Sequence, residues 1–534
     1  MWDIIRDAPL GQCLRLATGQ KAARYPEEQP GFELPAGYFD LVDSRTGSSP
    51  STGDAGQGSE KSIKEDPIVV VGWYGPKDPD NPYNWSSGKK LWIALLLFAY
   101  SFAVYIGSSL YTAGTTQIIE SYGVSSVVAS LGLSMYVFAY GIGPLLWAPL
   151  LEIPAVGRTL PYITTFVIFV VLCVLMSLVN NMGGILALRF LMGFFGSPCL
   201  ATAGASYADI YSATAMPYVI ALWGGGGTLA LALGPLVAGY AVEAKDWHWS
   251  SWELLWLSGP IMICMFLAMP ETSLDTILHR RAQRLRALTG RANLKSESEI
   301  RQAKMNPREI AFNALIKPWE INALDPVVLF STFYMALTYG IYYSFFESFP
   351  LVYTGIYGFS TGEQGLAFLS ILCGLVVAVA FVCWYFYVLA PRHLGKYEVV
   401  PPEARLWPGL FATWFIPISL LIFAWTSDPA IHWVVSLLGV AISMCGVFIV
   451  TQAIFMYLPF TYPCYAASLF AANALARSLL AGSAILFATP MFEGIGISGG
   501  VSLLAALSLL CVLGLFLLYF FRAKLRERSK FTGL

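Results

Sequence analysis

Three ionisable side chains fall inside long apolar stretches of the sequence, where a charge is costly. They are Arg189, Glu347 and Arg477. A charged group at the centre of a membrane costs roughly 3 kcal/mol or more unless it faces a partner or a water-filled cavity. On a helix, each of the three shares its face with small or polar residues, which disfavours exposure to lipid. We therefore expect these side chains to face the interior of a helical bundle, as candidates for proton coupling or substrate binding.

Glu347 is the only acid that lies well within an apolar stretch of the second half of the chain. An apolar environment disfavours the ionised carboxylate, so this residue could take up and release a proton. The alternatives are that it reaches the outer interface or stays locked in an ion pair. Arg189 and Arg477 cannot carry a proton, because arginine stays charged. They could set the proton affinity of a nearby acid, or bind carbonyls and hold adjacent helices together.

Glu152 and Arg158 flank the end of another apolar stretch, in the segment GPLLWAPLLEIPAVGRTLPYI. An acid here could lie at the positive N-terminus of a neighbouring helix and pair with the arginine. Such a pair could exist while the inner side is closed and break when it opens. The alternative is an ordinary ion pair of a loop, which stabilises little. We treat the two residues as a candidate cytoplasmic gate.

The stretch 221–241, ALWGGGGTLALALGPLVAGYA, is uncharged and long enough to cross a bilayer. Gly226, Ala230 and Gly234 recur every four residues and form a helix face almost without side chains, on which another helix can pack closely. Pro235 removes a backbone donor and is expected to kink the helix beside that face, one turn before Gly239. Packing of small residues by itself accounts for this pattern, and a role in transport depends on the rest of the chain.

Aromatic residues crowd the stretch around Glu347, and further aromatics lie near Arg477. Such residues usually face lipid or fill a core, but a few would suit an apolar pocket that adapts to different ligands. Tyr339, Tyr343 and Phe470 are the candidates for lining a substrate cavity.

The composition indicates a membrane protein. Of the 534 residues, 56% are hydrophobic and 12% are charged, with a mean hydropathy of +0.62, whereas a soluble protein carries about 25% charged residues. The net charge of -1 argues against a nucleic-acid partner. The nine cysteines form no CxxC pair or framework spacing, so we interpret them as packing residues.

Twelve apolar runs of spanning length follow a polar N-terminal segment. They cover approximately 91–113, 127–150, 161–180, 183–207, 216–242, 250–269, 326–351, 364–390, 407–426, 430–459, 464–488 and 499–521. We predict an all-α polytopic membrane protein with twelve transmembrane helices in two six-helix bundles, an architecture typical of transporters. The predicted parts are a largely disordered tail at 1–88, a first bundle at 89–270, a central loop at 271–324, a second bundle at 325–521 and a basic tail at 522–534.

The distribution of Lys and Arg predicts the orientation, because basic residues stay on the cytoplasmic side. With the N-terminal tail inside, the opposite loops hold only Lys245. Both ends of the chain are therefore expected in the cytoplasm, where the sequon at Asn84 would stay unglycosylated. In the central loop, residues 275–286 set apolar positions against a basic face, which predicts a helix lying on a surface.

Motifs for other chemistries do not occur in the sequence. It contains no GxxxxGK[ST] loop for ATP, so transport would have to be driven by an ion gradient. The four histidines are far apart, and HExxH does not occur. We expect no metal, no cofactor and no enzymatic activity.

Several segments resemble the twelve-span drug:proton antiporters of the major facilitator superfamily, in particular the fungal branch with fluconazole-resistance pumps and mycotoxin exporters. The segment 143–163 resembles the family's loop motif between spans two and three, RFLMGFFGSPCLATAGASYAD at 189–209 its fourth-span motif, and GPLVAG at 234–239 its antiporter motif. PETS at 270–273, YYSFFESFP at 342–350 and AANALARSLLAG at 471–482 also match. The resemblance implies functional roles for Glu152, Arg158, Arg189, Gly234, Pro235, Glu347 and Arg477.

The resemblance implies a proton-coupled exporter of small amphipathic compounds, such as antifungal drugs or a fungal secondary metabolite, working by alternating access in the plasma membrane. Membrane lipid, protons and the small-molecule cargo would be its partners, and we expect a monomer. An alternative is a transporter that takes up a nutrient such as a sugar or polyamine by symport or facilitated diffusion. A membrane-embedded enzyme and a non-transporting sensor are the remote alternatives.

Overall fold

The computed structural model of the chain describes residues 2–19, 21–29, 31–32, 68–212, 214–303, 316–395, 402–462 and 466–521. The α-helices are α1 Trp2–Asp7, α2 Pro9–Ala17, α3 Ser87–Ser109, α4 Thr115–Tyr122, α5 Ser126–Leu151, α6 Thr159–Met176, α7 Met182–Gly196, α8 Pro198–Ile210, α9 Met216–Ala244, α10 Trp249–Ala268, α11 Leu274–Thr289, α12 Glu297–Ala303, α13 Lys317–Leu324, α14 Pro326–Phe349, α15 Thr361–Ala367, α16 Leu369–Trp384, α17 Ala390–Leu394, α18 Trp407–Ala412, α19 Phe415–Thr426, α20 Trp433–Thr461 and α21 Ala466–Phe520. Short 3₁₀ turns cover Pro26–Glu28, Pro82–Asn84, Leu110–Gly114 and Pro402–Leu406, and π turns cover Pro350–Thr354 and Tyr385–Leu389. The strands are β1 Val69–Val71 and β2 Leu294–Ser296.

Nine helical segments of the described residues are long and apolar enough to cross a membrane. One of them, within α21, has 52 residues and would measure about 78 Å, more than twice the apolar core of a bilayer. Inside α21, Gly496 has φ 78° and ψ 160°, a conformation that glycine tolerates and a helix excludes. Two spans therefore meet at one residue, where the sequence predicted a connection between residues 488 and 499. To reach twelve spans from these nine segments, α21 has to count as two spans, α14 as one, and α7 with α8 as one more. The number twelve therefore stays a prediction.

Helix starts follow capping residues that are visible in the sequence. Asn181 accepts the Gly184 N–H through its side-chain oxygen at 2.6 Å, and five residues separate the end of α6 from the start of α7. The connection between the predicted runs 161–180 and 183–207 is therefore a short turn. Asp325 caps α14 by accepting the Val327 N–H at 2.9 Å, and Pro326 occupies the first helical position.

Parts of the predicted tail 1–88 are folded. β1 pairs in parallel with β2 of the central loop, with Val69 opposite Leu294. Together with Val71, Ala282 and Leu285, these residues form a small hydrophobic cluster separate from the main core. The prediction of a largely disordered tail is wrong for residues 2–29 and 68–88 because their apolar and charged side chains find partners in the central loop. The stretch Gly47–Lys64, on which that prediction chiefly rested, lies outside the described residues.

A buried arginine holds the tail to the central loop. Arg281 of α11 is 1% exposed and its guanidinium contacts Asp78 at 2.5 Å, Asp80 at 2.8 Å and Glu27 at 3.4 Å. Arg284 of the same helix contacts Glu27 at 3.3 Å. The helix predicted at 275–286 is therefore present, but its buried face packs on the tail of the same chain.

The membrane helices divide into an N-terminal half, α3 to α10, and a C-terminal half, α14 to α21. The halves meet where α5 packs on α21 and where α9 packs on α15 and α16. Ser134 of α5 donates a hydrogen bond to the Gly482 carbonyl of α21 at 2.8 Å. We call the side that carries α1, α2 and α11 the tail side, and the side that carries α4 the far side.

Candidate functional site

Glu347 lies in the last turn of α14, at the boundary between the two halves on the far side. Its carboxylate accepts hydrogen bonds from Ser130 of α5 at 3.2 and 3.3 Å and from Thr489 of α21 at 2.8 Å. These are the interactions of the carboxylate in the described residues, and no basic side chain is among them. One acid therefore links three helices and both halves without being neutralised by an ion pair.

A cluster of tyrosine hydroxyls joins the halves closer to the middle of the helices. Tyr140 of α5 hydrogen-bonds to Tyr339 and to Tyr343 of α14, each at 2.9 Å. Ser108 of α3 lies 3.4 Å from the Tyr343 hydroxyl. The predicted cavity aromatics Tyr339 and Tyr343 thus lie at the interface of the halves, about two turns and one turn below Glu347, respectively, along α14.

Arg477 lies on the part of α21 that precedes Gly496 and faces aromatic rings. Its guanidinium carbon is 5.1 Å from the ring centre of Tyr339 and 5.5 Å from that of Phe455. Phe470 packs edge-on against Phe455, with 5.4 Å between the ring centres. The predicted residues Arg477 and Tyr339 are therefore in direct contact. Phe470 joins them indirectly, because it packs on Phe455.

Arg189 is part of a different arrangement. It is 3% exposed and donates to three backbone carbonyls, at 3.0 Å to Gly132, 2.6 Å to Gly107 and 3.1 Å to Ser108. Gly107 and Ser108 belong to the last turn of α3, whose carbonyls lack partners within the helix and carry its negative dipole end. The rings of Tyr111 and Tyr136 cover the guanidinium at 4.6 and 4.5 Å. This geometry favours the structural alternative for Arg189, in which it holds α3 and α5 to α7.

The small-residue face of α9 packs on α3 within the N-terminal half. The Ala230 carbonyl accepts a hydrogen bond from Ser109 at 3.2 Å. A Cβ atom on Gly234 would lie 2.8 Å from the Ser109 Cβ, and one on Gly226 would overlap the ring of Phe98. Gly226 and Gly234 have no room for a side chain, because the Phe98 ring and the Ser109 side chain of α3 fill the space beside them.

The end of α9 beyond this face contacts the C-terminal half. A Cβ on Gly239 would lie 2.8 Å from the Thr361 carbonyl, and the Pro235 carbonyl lies against Gly365. One turn further, the Glu243 carboxylate accepts the Gly362 N–H at 2.9 Å. Pro235 and Gly239 thus belong to the boundary between the halves, with α9 helical from Met216 to Ala244 through the proline.

The tail-side arginine has a different partner from the expected one. Arg158 pairs through Nη1 with Asp209 at the end of α8, and no hydrogen bond or ion pair joins it to Glu152 in the described part of the chain. The buried Glu271 accepts the backbone N–H groups of Arg158 and Thr159 at 3.1 to 3.2 Å. Glu271 therefore occupies the helix N-terminus that the sequence analysis assigned to Glu152, and the predicted pairing is wrong in its acid.

The Arg158–Asp209 pair is sensitive to pH. Burial raises the pKa of Asp209 to about 6; Arg158 opposes this rise, and the nearby carboxylates of Glu271 and Asp275 add to it. The carboxylate is ionised at neutral pH and becomes protonated on mild acidification.

Sequence reasoning did not single out Ser130, Thr489, Tyr140 or Asp209. Serine and threonine are common in membrane helices, so neither Ser130 nor Thr489 gave a signal. Asp209 is the last residue of the 189–209 segment and stands at the end of an apolar run, which is the one signal that could have identified it.

Asn84 donates through its side-chain amide to the carbonyls of Pro76 and Asp78, both at 2.9 Å.

Residues 93–486 match the sequence profile of the Major Facilitator Superfamily. The chain belongs to the major facilitator superfamily. It is 41% identical over 548 residues to the "MFS-type transporter pyvG" of Aspergillus violaceofuscus, with 100% of both chains covered. It is 34% identical over 547 residues to the "Cycloheximide resistance protein" of Candida maltosa, with 99% of both chains covered.

A solved structure of a major facilitator has the same fold. The proton:xylose symporter XylE superposes with a TM-score of 0.58 at 12% sequence identity, over 82% of this chain and 96% of that chain. At this identity the likeness concerns the fold alone. This facilitator is a membrane transporter and not an enzyme.

Proposed function

We propose that this facilitator is a proton-coupled antiporter that exports small amphipathic compounds, such as antifungal drugs or a fungal secondary metabolite. The single observation that carries the proposal is the position of Glu347, which accepts hydrogen bonds from Ser130 in one half and Thr489 in the other. An acid so placed couples its own protonation to the separation of the halves.

The coupling follows from hydrogen-bond strength. A hydrogen bond to an ionised carboxylate is about twice as strong as one between neutral groups. A proton that reaches Glu347 from the far side therefore weakens the Ser130 contact and favours opening on that side. Cargo leaves there, and the halves close again around the protonated acid. Release of this proton on the tail side completes the exchange.

The gate on the tail side would act in the opposite phase. We propose that the Arg158–Asp209 pair holds α6 and α8 together while the tail side is closed, with Glu152 beside it. The Tyr140, Tyr339 and Tyr343 hydroxyls would separate with the halves, and Tyr339 and Phe470 would line the cargo cavity. The face Gly226, Ala230 and Gly234 would fix α9 to α3 while the Pro235–Gly239 end slides on α15.

We also propose the cellular setting. Twelve spans lie in the plasma membrane, with both termini and the 271–324 loop in the cytoplasm, so the tail side is cytoplasmic and Asn84 stays unglycosylated. The bundles cover 89–270 and 325–521. The transporter acts as a monomer and needs no cofactor, because the proton gradient supplies the driving force.

Flux in sealed vesicles tests the direction and the driving force. Inside-out vesicles that hold the full chain expose the tail side to the medium. With an acidic interior, an exporter should accumulate labelled cycloheximide, the compound named in a relative at 34% identity. A symporter for uptake would instead lose cargo with the outgoing protons, and that result would refute the proposal.

Glu347→Gln tests the coupling acid. The amide keeps the size of the side chain but cannot bind and release a proton, so accumulation should no longer respond to the pH gradient while gradient-free exchange persists. Ser348→Ala is the matched control, because its hydroxyl bonds only within its own helix, to the Phe345 carbonyl. A Glu347→Gln variant that still accumulates cargo in proportion to the gradient would exclude this acid.

A further inference from the structure

Two buried polar groups on one face of α21 lack hydrogen-bond partners. Within the described residues, the side-chain oxygen of Asn473 accepts no hydrogen bond, and Nε of Arg477 donates none. Asn473 is 1% exposed. The two residues are four positions apart and therefore lie one above the other on the helix. Folded proteins seldom leave buried donors and acceptors unmatched, so this pair requires an explanation.

The neighbouring residues do not supply the missing partners. The amide nitrogen of Asn473 lies 3.4 Å from the sulfur of Met335, a weak acceptor. Exchanging the amide oxygen and nitrogen would place the oxygen against the thioether sulfur, which has no hydrogen to donate. The amide of Asn473 is therefore incompletely satisfied in either orientation. Arg477 is covered by the rings of Tyr339 and Phe455, and the described residues place no carboxylate in an ion pair with it.

Arg189 shows what a structural arginine looks like in the same molecule. All three of its nitrogens donate to carbonyls, and two tyrosine rings cover it. Arg477 has the rings but not the acceptors. The difference points to a group that is supplied from outside the chain.

We propose that Asn473 and Arg477 form a recognition subsite for a flat, uncharged group that presents a carbonyl oxygen beside an N–H, as a cyclic imide or lactam does. The carbonyl accepts from Nε of Arg477, and the N–H donates to the oxygen of Asn473, while the Tyr339 and Phe455 rings hold the guanidinium in place. A carboxylate lacks the donor that Asn473 needs, and a cation is repelled by an arginine without a neutralising acid. The subsite names a cargo class for the proposed exporter and rests on that function.

Cycloheximide and its N-methyl imide derivative form a matched pair of probes. Cycloheximide carries a glutarimide ring with an N–H between two carbonyls, and methylation removes only that donor. The purified full chain should bind cycloheximide at least tenfold more tightly than the methylated compound, because a site built around a hydrogen bond rejects a ligand that lacks it. The measurement is calorimetric titration of both compounds.

Asn473→Leu should abolish this discrimination and bind both probes with similar, weaker affinity. The unliganded variant should unfold at the same temperature as the wild type or higher, because a buried polar atom without a partner has been removed. Ser478→Ala is the control on the same helix, since its hydroxyl is already bonded to the Ala474 carbonyl at 2.8 Å. It should keep the discrimination.

Each contrary result overturns the subsite. The subsite is refuted if the wild type binds the two probes equally or binds neither of them. An Asn473→Leu variant that unfolds earlier and keeps the wild-type ratio would show a structural role instead. Two other experiments test the proposed function independently of the subsite: the direction of flux in vesicles and the response of the Glu347→Gln variant to the pH gradient. Proton-driven accumulation of cycloheximide with no discrimination between the probes would retain the function and refute the subsite.

Discussion

Ser130 and Glu347 are 217 residues apart in the sequence, yet the serine hydroxyl lies 3.2 and 3.3 Å from the two carboxylate oxygens. The contact crosses the boundary between the halves near the far side. Any motion that opens this side has to break it, so its strength contributes to the balance between the closed and open conformations.

Removing the Ser130 hydroxyl should favour the open far side. A hydrogen bond to a charged group contributes about 1.5 kcal/mol or more, which corresponds to roughly a tenfold change in population. In a background without the exposed Cys13 and Cys373, a cysteine at the buried Ala484 reports access. Ser130→Ala should increase its labelling by an impermeant maleimide from the far side about tenfold. Equal rates in Ser130→Ala and in the control Ser348→Ala would contradict this role.

The two membrane arginines should respond in opposite ways to replacement by methionine. Arg189→Met leaves three buried carbonyls without their donor, and we expect a loss of about 3 kcal/mol or more in the free energy of unfolding. Arg477→Met removes no hydrogen bond of the described structure, so the unfolding temperature should stay near that of the wild type while cargo transport is lost. Thermal unfolding in detergent and vesicle flux measure the two effects. A similar loss of stability in both variants would show that Arg477 is structural.

A methyl group on Gly234 should disturb the contact of α9 with α3. The new Cβ would lie 2.8 Å from the Ser109 Cβ and 3.1 Å from the Leu110 nitrogen. Overpacking of this kind costs about 1–3 kcal/mol, so Gly234→Ala should lower both stability and efflux. Gly204 of α8 has open space around it, and Gly204→Ala should be neutral or stabilise by up to about 1 kcal/mol. Normal stability in both variants would exclude close packing as the reason for Gly234.

The tail-side gate can be tested by a double-mutant cycle. Because Arg158 pairs with Asp209, the effects of Arg158→Met and Asp209→Asn on the efflux rate should not add in the double variant. We expect a coupling energy of about 1 kcal/mol or more. The cycle of Arg158→Met with Glu152→Gln should give a smaller coupling energy, because Arg158 acts on this carboxylate through space and not through an ion pair. Strong coupling to Glu152 and none to Asp209 would restore the pairing expected from the sequence.

Docking of the N-terminal tail should resist mild acid. Burial would raise the pKa of Asp78, but the Arg281 guanidinium outweighs this effect and holds the pKa below its usual value. An acid whose pKa is lowered in the docked state stabilises that state fully at any pH above its unfolded pKa of about 4. This stabilisation is lost as the pH falls from about 4 through the lowered pKa of the docked state. Hydrogen exchange of the Val69–Val71 amides, corrected for intrinsic rates, should therefore show equal protection at pH 7 and 5 and a loss only as the pH falls below about 4.

Arg281→Met should release the tail at every pH, because it leaves the buried carboxylate of Asp78 without its guanidinium and leaves Glu27 with Arg284 alone. Exchange at β1 should then be fast, while amides in α20 stay protected as an internal control. Protection of β1 that persists in this variant would show that the hydrophobic cluster alone holds the tail.

Periodicity and apolar length were sufficient for the helices but not for their partners. The starts of α7 and α14 lie within one residue of the predicted runs 183–207 and 326–351, because the change from polar to apolar residues is local in the sequence. The face Gly226, Ala230 and Gly234 was readable because its spacing is helical. The tail could not be read in this way, because the partners of Val69 and Asp78 lie about 200 residues further along the chain, in the central loop.

The sequence by itself determined that the chain crosses a membrane many times and that Glu347, Arg189 and Arg477 need a protected interior. Transfer of apolar and charged groups from water depends on composition and local order, which a sequence displays directly. Only the tertiary structure decided that Glu347 meets Ser130, that Arg158 pairs with Asp209 and that Arg477 has rings around it but no acceptor. Those contacts depend on how distant helices pack, and helices that are equally apolar can pack in many ways until their shapes and polar groups are brought together.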